Sequence, residues 1–143
     1  MLFGEVNHSI DAKGRYIVPA AFRESLGERF MITKGFDRSL YVYPMASWEK
    51  VVDNMSQLPS NDARARRFAH SLFSGAFEAE IDKQFRVLIP QILRSYSEIE
   101  KEIVSVGMST RLEIWAKEKW EAYRDDSADS YEEDASFFPG VII

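Results

Sequence analysis

The sequence predicts a mixed β fold with short helices, in which two tandem copies of one small unit share a core. The first observation is an internal repeat, at a shift of 71 and then 72 residues. The second is that each copy alternates short apolar strands with polar turns. The third is that 143 residues with 45% hydrophobic and 13% aromatic side chains suffice for a core. Each copy spans only about 45 residues, near or below the size that sustains its own core, so we expect two units intertwined or packed face to face.

The internal repeat matches at charged, glycine, proline and aromatic positions. Residues 4–23 align with 75–94, and after one inserted residue the block 32–49 aligns with 104–121. The paired positions include Gly4 and Gly75, Asp11 and Asp82, Arg15 and Arg86, Pro19 and Pro90, Arg23 and Arg94, Gly35 and Gly107, and Tyr43 and Trp115. Two matching blocks in the same order favour duplication over chance.

Each copy has the same predicted order of elements. An extended arm leads to a polar turn, an apolar strand, a short helix that begins at a proline, and a β-hairpin. In the first copy these are the turn 11–15, the strand 16–18, a helix from Pro19 that stops at Gly27, and hairpin strands 30–33 and 40–43. In the second copy they are the turn 82–86, the strand 87–89, a helix from Pro90, and hairpin strands 103–106 and 112–115.

Two amphipathic helices are predicted between the copies. Apolar side chains recur at helical spacing in residues 48–58 and again in residues 65–73. Pro59 breaks the first helix, and Asn61 or Asp62 can cap the second. We therefore expect a first unit at 5–47, a helical linker at 48–75, a second unit at 76–119, and a C-terminal helix with an acidic tail at 120–143.

Charge is unevenly distributed along the chain. The formal net charge is −5 and the pI is near 5.1, which argues against nonspecific binding of nucleic acid. A run at 125–134, after a last helix that begins near Lys117, holds six acids and no base and is expected to be a solvated, mobile tail. Without those six acids, residues 1–124 carry 18 basic and 17 acidic groups, so the body can still present a basic face.

The sequence also excludes several classes of protein. It has no cysteine, no run of the roughly twenty apolar residues that span a membrane, and no N-terminal secretory signal, which predicts a soluble cytoplasmic protein. A phosphate-binding loop, a zinc-protease helix and a nucleophile elbow are missing, and His8 and His70 occupy non-matching positions of the repeat. We therefore expect no enzyme, no catalytic residue, no cofactor and no metal site.

One motif with chemical potential recurs, a D-x-x-x-R turn from Asp11 to Arg15 and from Asp82 to Arg86. An Asp at the start of a turn can accept backbone N–H groups and fix its shape. An Arg leaving the turn presents a planar fork of donors suited to phosphate or to a guanine edge. The alternative is that each Asp and Arg merely form a surface salt bridge across the turn, which contributes little to stability. Duplicated structural turns would also repeat, so both interpretations stay open.

Five stretches of the sequence together resemble the MraZ family. They are FGE at 3–5, IDAKGRYIVPAAFR at 10–23, LYVYP at 40–44, FSGAFEAEIDKQFRVLIP at 73–90 and LEIW at 112–115. The resemblance covers nearly the whole chain apart from the acidic tail. It implies a place among the AbrB and SpoVT swapped-hairpin DNA binders, with two tandem AbrB-like swapped-hairpin units that form a shared β-barrel-like core and assemble into homo-oligomeric rings.

The same resemblance implies a bacterial transcriptional regulator associated with the nucleoid. Such a protein binds double-stranded DNA at repeats upstream of the division and cell-wall gene cluster, including the promoter of its own gene. Carried over by position, the DNA contacts are Lys13, Arg15, Lys83 and Arg86, and the turn-shaping residues are Asp11, Gly14 and Asp82. Phe85 stands where the second turn would have a glycine, and a positive φ there would strain it and alter that turn.

The acidic composition keeps two functional classes in competition. A ring could present a modest basic turn many times on one face, so that multivalency supplies the affinity for DNA. An oligomeric protein-interaction scaffold with purely structural D-x-x-x-R turns suits an acidic chain without that assumption, and an enzyme is a distant third. Arg23 and Arg94 are weaker candidates for phosphate contacts, for which a solvated or salt-bridged surface is favoured.

Overall fold

The computed structural model describes residues 1–141, in which there are eight strands and six helices. The strands are β1 (Glu5–Ser9), β2 (Arg15–Ile17), β3 (Arg29–Lys34), β4 (Leu40–Pro44), β5 (Phe77–Glu80), β6 (Arg86–Leu88), β7 (Glu102–Gly107) and β8 (Leu112–Ala116). The helices are α1 (Ala20–Leu26), α2 (Met45–Met55), α3 (Ala63–Gly75), α4 (Gln91–Ser97), α5 (Lys117–Ala128) and α6 (Tyr131–Ser136). Among the described residues, none of the helices combines the length and the apolar composition needed to cross a membrane.

The strands form one six-stranded antiparallel sheet and a separate two-stranded ribbon. The order in the sheet is β1-β7-β8-β4-β3-β5, and the ribbon joins β2 to β6. The first strand of each copy pairs with the third strand of the other copy, since β1 pairs with β7 and β5 pairs with β3. The β4–β8 and β2–β6 pairs also cross between the copies. The predicted mixed β architecture with short helices is confirmed, and its copies are intertwined.

Buried side chains from both copies meet in one hydrophobic cluster. The first copy contributes Tyr16, Phe22, Phe30 and Ile32, and the second contributes Val87, Leu93, Ile103 and Ile114. None of these eight residues is more than 7% exposed, and full burial of one such side chain stabilises the fold by about 1.5–3 kcal/mol. The core is therefore shared. Over residues 1–141 the sheet ends at β1 on one side and at β5 on the other, so the closed, barrel-like core implied by the resemblance is not confirmed.

A proline begins the equivalent short helix in each copy, as the sequence predicts. Pro19 and Pro90 are the N-cap residues of α1 and α4. Their carbonyls accept the backbone N–H of Phe22 at 2.9 Å and of Leu93 at 3.0 Å. Proline suits the start of a helix because the N–H that it lacks would have no helical partner there. Gly27 ends α1 at a φ of +75°, a backbone conformation that favours glycine.

The two helices between the copies, α2 and α3, pack on β3 and β4 of the first copy. Asp62 is the N-cap of α3, and its Oδ1 accepts the backbone N–H of Arg64 at 2.8 Å. Trp48 of α2 lies between Tyr43 of β4 and Phe73 of α3, at ring-centroid distances of 5.7 and 6.1 Å. These contacts cover the apolar stripes predicted for the two helices only in part, since α2 has no buried residue and Phe73 remains 42% exposed.

The C-terminal segment is more ordered in its secondary structure than the sequence predicts. Helix α5 begins at Lys117 as expected, and its Trp120 ring lies 5.3 Å from that of Trp115. The helix then continues into the acidic run 125–134 as far as Ala128, and α6 follows. Most of the run is thus helical, although its side chains are mainly exposed. Its apolar face is too small to predict a helix from periodicity.

A buried hydrogen-bond network ties the ribbon to the sheet. The hydroxyl of Ser105 in β7 lies 2.6 Å from the hydroxyl of Tyr16 in β2 and 2.7 Å from Nε2 of His8 in β1. Tyr16 and Ser105 are 0% exposed, and burial raises the pKa of the Tyr16 hydroxyl and lowers the pKa of His8. A buried polar group without a partner is costly, so this network specifies how the three strands fit together.

Replacing Ser105 is expected to destabilise the fold through Tyr16. Ser105→Ala leaves the buried Tyr16 hydroxyl without its partner and should lower the free energy of unfolding by about 1–3 kcal/mol. Urea unfolding of the single and double variants measures this. The same substitution in a Tyr16→Phe background should cost clearly less, because no phenol remains to be desolvated. Equal costs in the two backgrounds would show that Tyr16 does not depend on Ser105.

Candidate nucleic-acid interface

The two D-x-x-x-R motifs meet at the β2–β6 ribbon. The antiparallel register pairs Arg15 with Leu88, Tyr16 with Val87, and Ile17 with Arg86. Tyr16 and Val87 face the core, at 0% and 7% exposure. Because successive side chains of a strand point to opposite faces, the other four share the outward face. That face, which we call the ribbon face, consists of Arg15, Ile17, Arg86 and Leu88.

In the first turn, one carboxylate organises the backbone. The backbone N–H of Asp11 donates to the carbonyl of Arg15 at 3.1 Å, and that of Gly14 donates to the carbonyl of Asp11 at 2.9 Å. Oδ1 of Asp11 accepts the backbone N–H groups of Lys13 and Arg15, each at 2.9 Å. Oδ2 accepts Nε of Arg15 at 2.6 Å. The acid therefore shapes the turn and also holds the arginine side chain, as expected of Asp in a turn.

The second turn repeats this arrangement. Oδ1 of Asp82 accepts the backbone N–H of Gln84 at 2.8 Å and of Arg86 at 2.9 Å, and Oδ2 accepts Nε of Arg86 at 2.8 Å. Phe85 adopts a φ of +60°, and Gly14 at the matching position adopts +83°. The position thus needs a positive φ in both copies. Phe85 adopts this unfavourable backbone conformation, and the second turn keeps the hydrogen bonds of the first.

Both carboxylates are held in their ionised form. The hydrogen bond from the backbone N–H of Arg15 is the largest influence on the pKa of Asp11, which lies below its ordinary value. The bond from the backbone N–H of Arg86 acts in the same way on the pKa of Asp82. In each case the arginine side chain adds to the effect, against a partial desolvation that raises the pKa. At neutral pH each turn therefore contains a closed Asp–Arg pair.

The ion pairs leave part of each guanidinium available. Within the described residues, the hydrogen bonds of Arg15 and Arg86 side chains to the protein are made by Nε. Their side chains are 32% and 26% exposed. The two terminal nitrogens of each can therefore donate to an outside partner, while Asp11 and Asp82 set the direction of the fork. This geometry suits phosphate oxygens or the O6 and N7 acceptors of guanine.

The two turns are linked across the ribbon. The backbone N–H of Val18 donates to the carbonyl of Phe85 at 2.9 Å, and that of Ile89 donates to the carbonyl of Gly14 at 3.0 Å. Each turn is therefore anchored to the strand of the other copy. Since a turn precedes each strand of an antiparallel pair, the two turns lie at opposite ends of the ribbon.

Two further arginines support the turns from the short helices. Nε of Arg23 donates to the carbonyl of Val18, and Nε of Arg94 donates to that of Ile89, each at 2.9 Å. The guanidinium carbon of Arg23 lies 3.8 Å from the centre of the Phe85 ring. Arg94 packs on the first turn so closely that a Cβ atom at Gly14 would lie 2.5 Å from its Cζ. The solvated or salt-bridged surface favoured for Arg23 and Arg94 is therefore wrong, because both are half-buried, bond a backbone carbonyl and pack on a turn of the opposite copy.

The structure brings some of the predicted site residues together and keeps others apart. Arg15 and Arg86 lie diagonally across the ribbon face. Lys13 and Lys83 are exposed and lie in turns at opposite ends of the ribbon. Sequence reasoning missed Ile17 and Leu88, which are 43% and 56% exposed between the arginines. The available signal was that each lies between two buried strand residues, so its side chain must point to the opposite face.

The stability of the protein should respond differently to exchange of the fourth residue in the two turns. Gly14→Ala places an L side chain at positive φ, which lowers the free energy of unfolding by about 1–2 kcal/mol. It also forces the side chain of Arg94 to move. Phe85→Gly relieves such strain but loses the stacking of Arg23, about 0.5–1 kcal/mol, and adds chain entropy to the unfolded state. Urea unfolding should therefore show a clear loss for Gly14→Ala and a change within about 1 kcal/mol for Phe85→Gly. A neutral Gly14→Ala would mean that the first turn does not need its glycine.

Comparison with known proteins gives a consistent family. Residues 1–70 and 72–137 match the family model described as "MraZ protein, putative antitoxin-like". The chain is 51% identical over 133 residues to the transcriptional regulator MraZ of Desulforamulus reducens, which covers 93% of this chain and 94% of that protein. It is 52% identical over 133 residues to that of Pelotomaculum thermopropionicum, covering 93% and 92%. It is 49% identical to that of Thermoanaerobacter sp. over the full length of both. The chain belongs to the MraZ family.

Proposed function

We propose that this chain is a sequence-specific transcriptional regulator that binds double-stranded DNA through the ribbon face and its two turns. The observation that carries the proposal is that Arg15 and Arg86, 71 residues apart, share one face of one ribbon. The major groove of B-DNA admits a two-stranded β-ribbon, and arginine is the side chain best suited to guanine edges and phosphates. The regulatory role is supported by the names of the relatives.

Each predicted site residue has a distinct part in this proposal. The exposed amines of Lys13 and Lys83, at the two ends of the ribbon, contact backbone phosphates. Arg15 and Arg86 reach phosphates or base edges with their terminal nitrogens. Asp11, Gly14 and Asp82 do not touch DNA but hold the turns in the required shape.

We also propose the genomic setting and assembly that the family resemblance implies. The chain acts in the cytoplasm on the nucleoid, at repeats upstream of the division and cell-wall gene cluster and of its own gene, as a homo-oligomeric ring. A ring would help a chain with a net charge of −5 to bind DNA, because one ribbon offers few cations and a ring presents the same ribbon many times on one face. The crossed strand pairs support two tandem AbrB-like swapped-hairpin units, at 5–47 and 76–119, joined by the linker 48–75 and followed by 120–143.

A second candidate is an oligomeric protein-interaction scaffold in which the D-x-x-x-R turns are purely structural. The observation that favours it is that Nε of Arg15 and Nε of Arg86 are both bonded to an aspartate of their own turn. An internal ion pair of this kind needs no outside ligand. The two candidates differ in what happens to a folded protein that lacks one arginine fork.

Removing either arginine should weaken DNA binding without preventing assembly. Arg15→Ala and Arg86→Ala are each expected to lose about ten-fold or more in affinity for duplex DNA from upstream of the chain's own gene, because each removes a fork of donors. Fluorescence anisotropy against a scrambled duplex measures specificity. Arg67→Ala on α3, an exposed site away from the ribbon, makes the same charge change and is the matched control.

Circular dichroism and size-exclusion chromatography distinguish lost contacts from lost folding. If both arginine variants are folded and assembled, and bind the upstream duplex as the wild type does, the scaffold is the better description. Loss by Arg15→Lys as well would show that the fork, and not charge alone, is required.

Lys13→Ala is expected to act differently from the arginine variants. A phosphate contact carries no sequence information, so affinity should fall on upstream and scrambled duplexes alike. The slope of log affinity against log salt should become shallower by about 1. Affinity measured across a salt series tests this, and an unchanged slope would remove Lys13 from the interface.

A further inference from the structure

Two aliphatic side chains are exposed at the centre of the ribbon face. Ile17 is 43% exposed and Leu88 is 56% exposed, although both lie in regular strands. Single exposed hydrophobic residues are ordinary on protein surfaces. These two differ because they occupy matching positions of the repeat and are placed by the same ribbon register that places the two arginines.

The four side chains of the ribbon face form a compact two-by-two pattern. Arg15 lies opposite Leu88, and Ile17 lies opposite Arg86, so the cations occupy one diagonal and the aliphatic groups occupy the other. Side chains two residues apart on a strand are about 6.6 Å apart, which corresponds to roughly two base-pair steps of B-DNA at about 3.4 Å each. The pattern therefore spans neighbouring base pairs.

We propose that Ile17 and Leu88 read thymine methyl groups in the major groove, next to the contacts made by Arg15 and Arg86. This inference rests on the proposed DNA-binding function and adds the base type that the ribbon selects. Among the groups that base edges present in the major groove, the C5-methyl of thymine is the apolar one. Each aliphatic side chain lies between two guanidinium groups. It can make apolar contact with a thymine methyl group while the arginines donate hydrogen bonds to acceptors on neighbouring bases.

The charges on the ribbon face favour DNA over a second copy of the chain as the occupant. Two ribbon faces packed against each other would bury the terminal nitrogens of two Arg15 and two Arg86 side chains without acceptors, since Asp11 and Asp82 bond only Nε of each arginine side chain. An anionic partner that carries small apolar groups on an otherwise polar edge supplies those acceptors. Thymine-containing duplex DNA is such a partner.

The test compares duplexes that differ only in the methyl group. The duplex from upstream of the chain's own gene is prepared once with thymine and once with uracil in its place, and a scrambled duplex reports specificity. Wild-type protein should bind the uracil duplex about four-fold more weakly for each methyl that it contacts, and about fifteen-fold for two. The double variant Ile17→Ala/Leu88→Ala should bind both duplexes with nearly equal affinity, because it has no side chain to meet the methyl groups.

The matched control is Ile92→Ala, which shortens an exposed aliphatic side chain on α4, outside the ribbon, and should keep the wild-type preference for thymine. Equal binding of the thymine and uracil duplexes by the wild type, both well above the scrambled duplex, would overturn the methyl contacts and leave the proposed function standing. A thymine preference that persists in the double variant would also overturn them, because the methyl groups would then act through DNA shape. Equal, weak binding of all three duplexes would overturn both proposals.

Discussion

Pairing of β2 with β6 is the interaction on which the rest of the structure depends. It consists of three residue pairs, extended by the bonds from Val18 to Phe85 and from Ile89 to Gly14. Within it, Tyr16 enters the shared core and the polar network. A slip of one residue would turn every side chain of a strand to the other face, so that an arginine would enter the core. The core therefore enforces the register, and the register places both arginines on the ribbon face.

Much of the local structure could be predicted from the repeat, but the pairing of strands could not. Prolines, glycines and alternation specify where strands and helices begin and end, and these signals are local. The partner of β1 is a different matter. Because the copies share one pattern, β1 is as compatible with β3 of its own copy as with β7 of the other. The exchange is decided by packing across the whole core, which includes side chains such as Phe30 and Ile103.

At the candidate site, too, features set by neighbouring residues could be predicted from the sequence, and features set by distant residues could not. The D-x-x-x-R turns could be predicted because an Asp bonds backbone groups two and four residues ahead. The exposure of Ile17 and Leu88 has a local signal, their alternation with buried residues on either side, but the strand pairing that sets both beside the arginines has none. The geometry of the second turn was also beyond local rules. A positive φ is costly for Phe85, yet the bonds made by Asp82 and the stacking of Arg23 on its ring offset that cost.

The ribbon therefore has only approximate two-fold symmetry, and the departure lies beside the predicted DNA contacts. At one end Arg94 packs directly on Gly14, and at the other end a phenyl ring takes that space and covers a face of Arg23. The hydrogen bonds within the two turns are nevertheless the same, so Arg15 and Arg86 have the same orientation relative to their own turns. The orientation of the two arginines is thus preserved while their surroundings differ in hydrophobicity. If the ribbon binds DNA as proposed, the two arginines make similar contacts, but the surface around each is different. The preferred DNA sequence is therefore an imperfect palindrome.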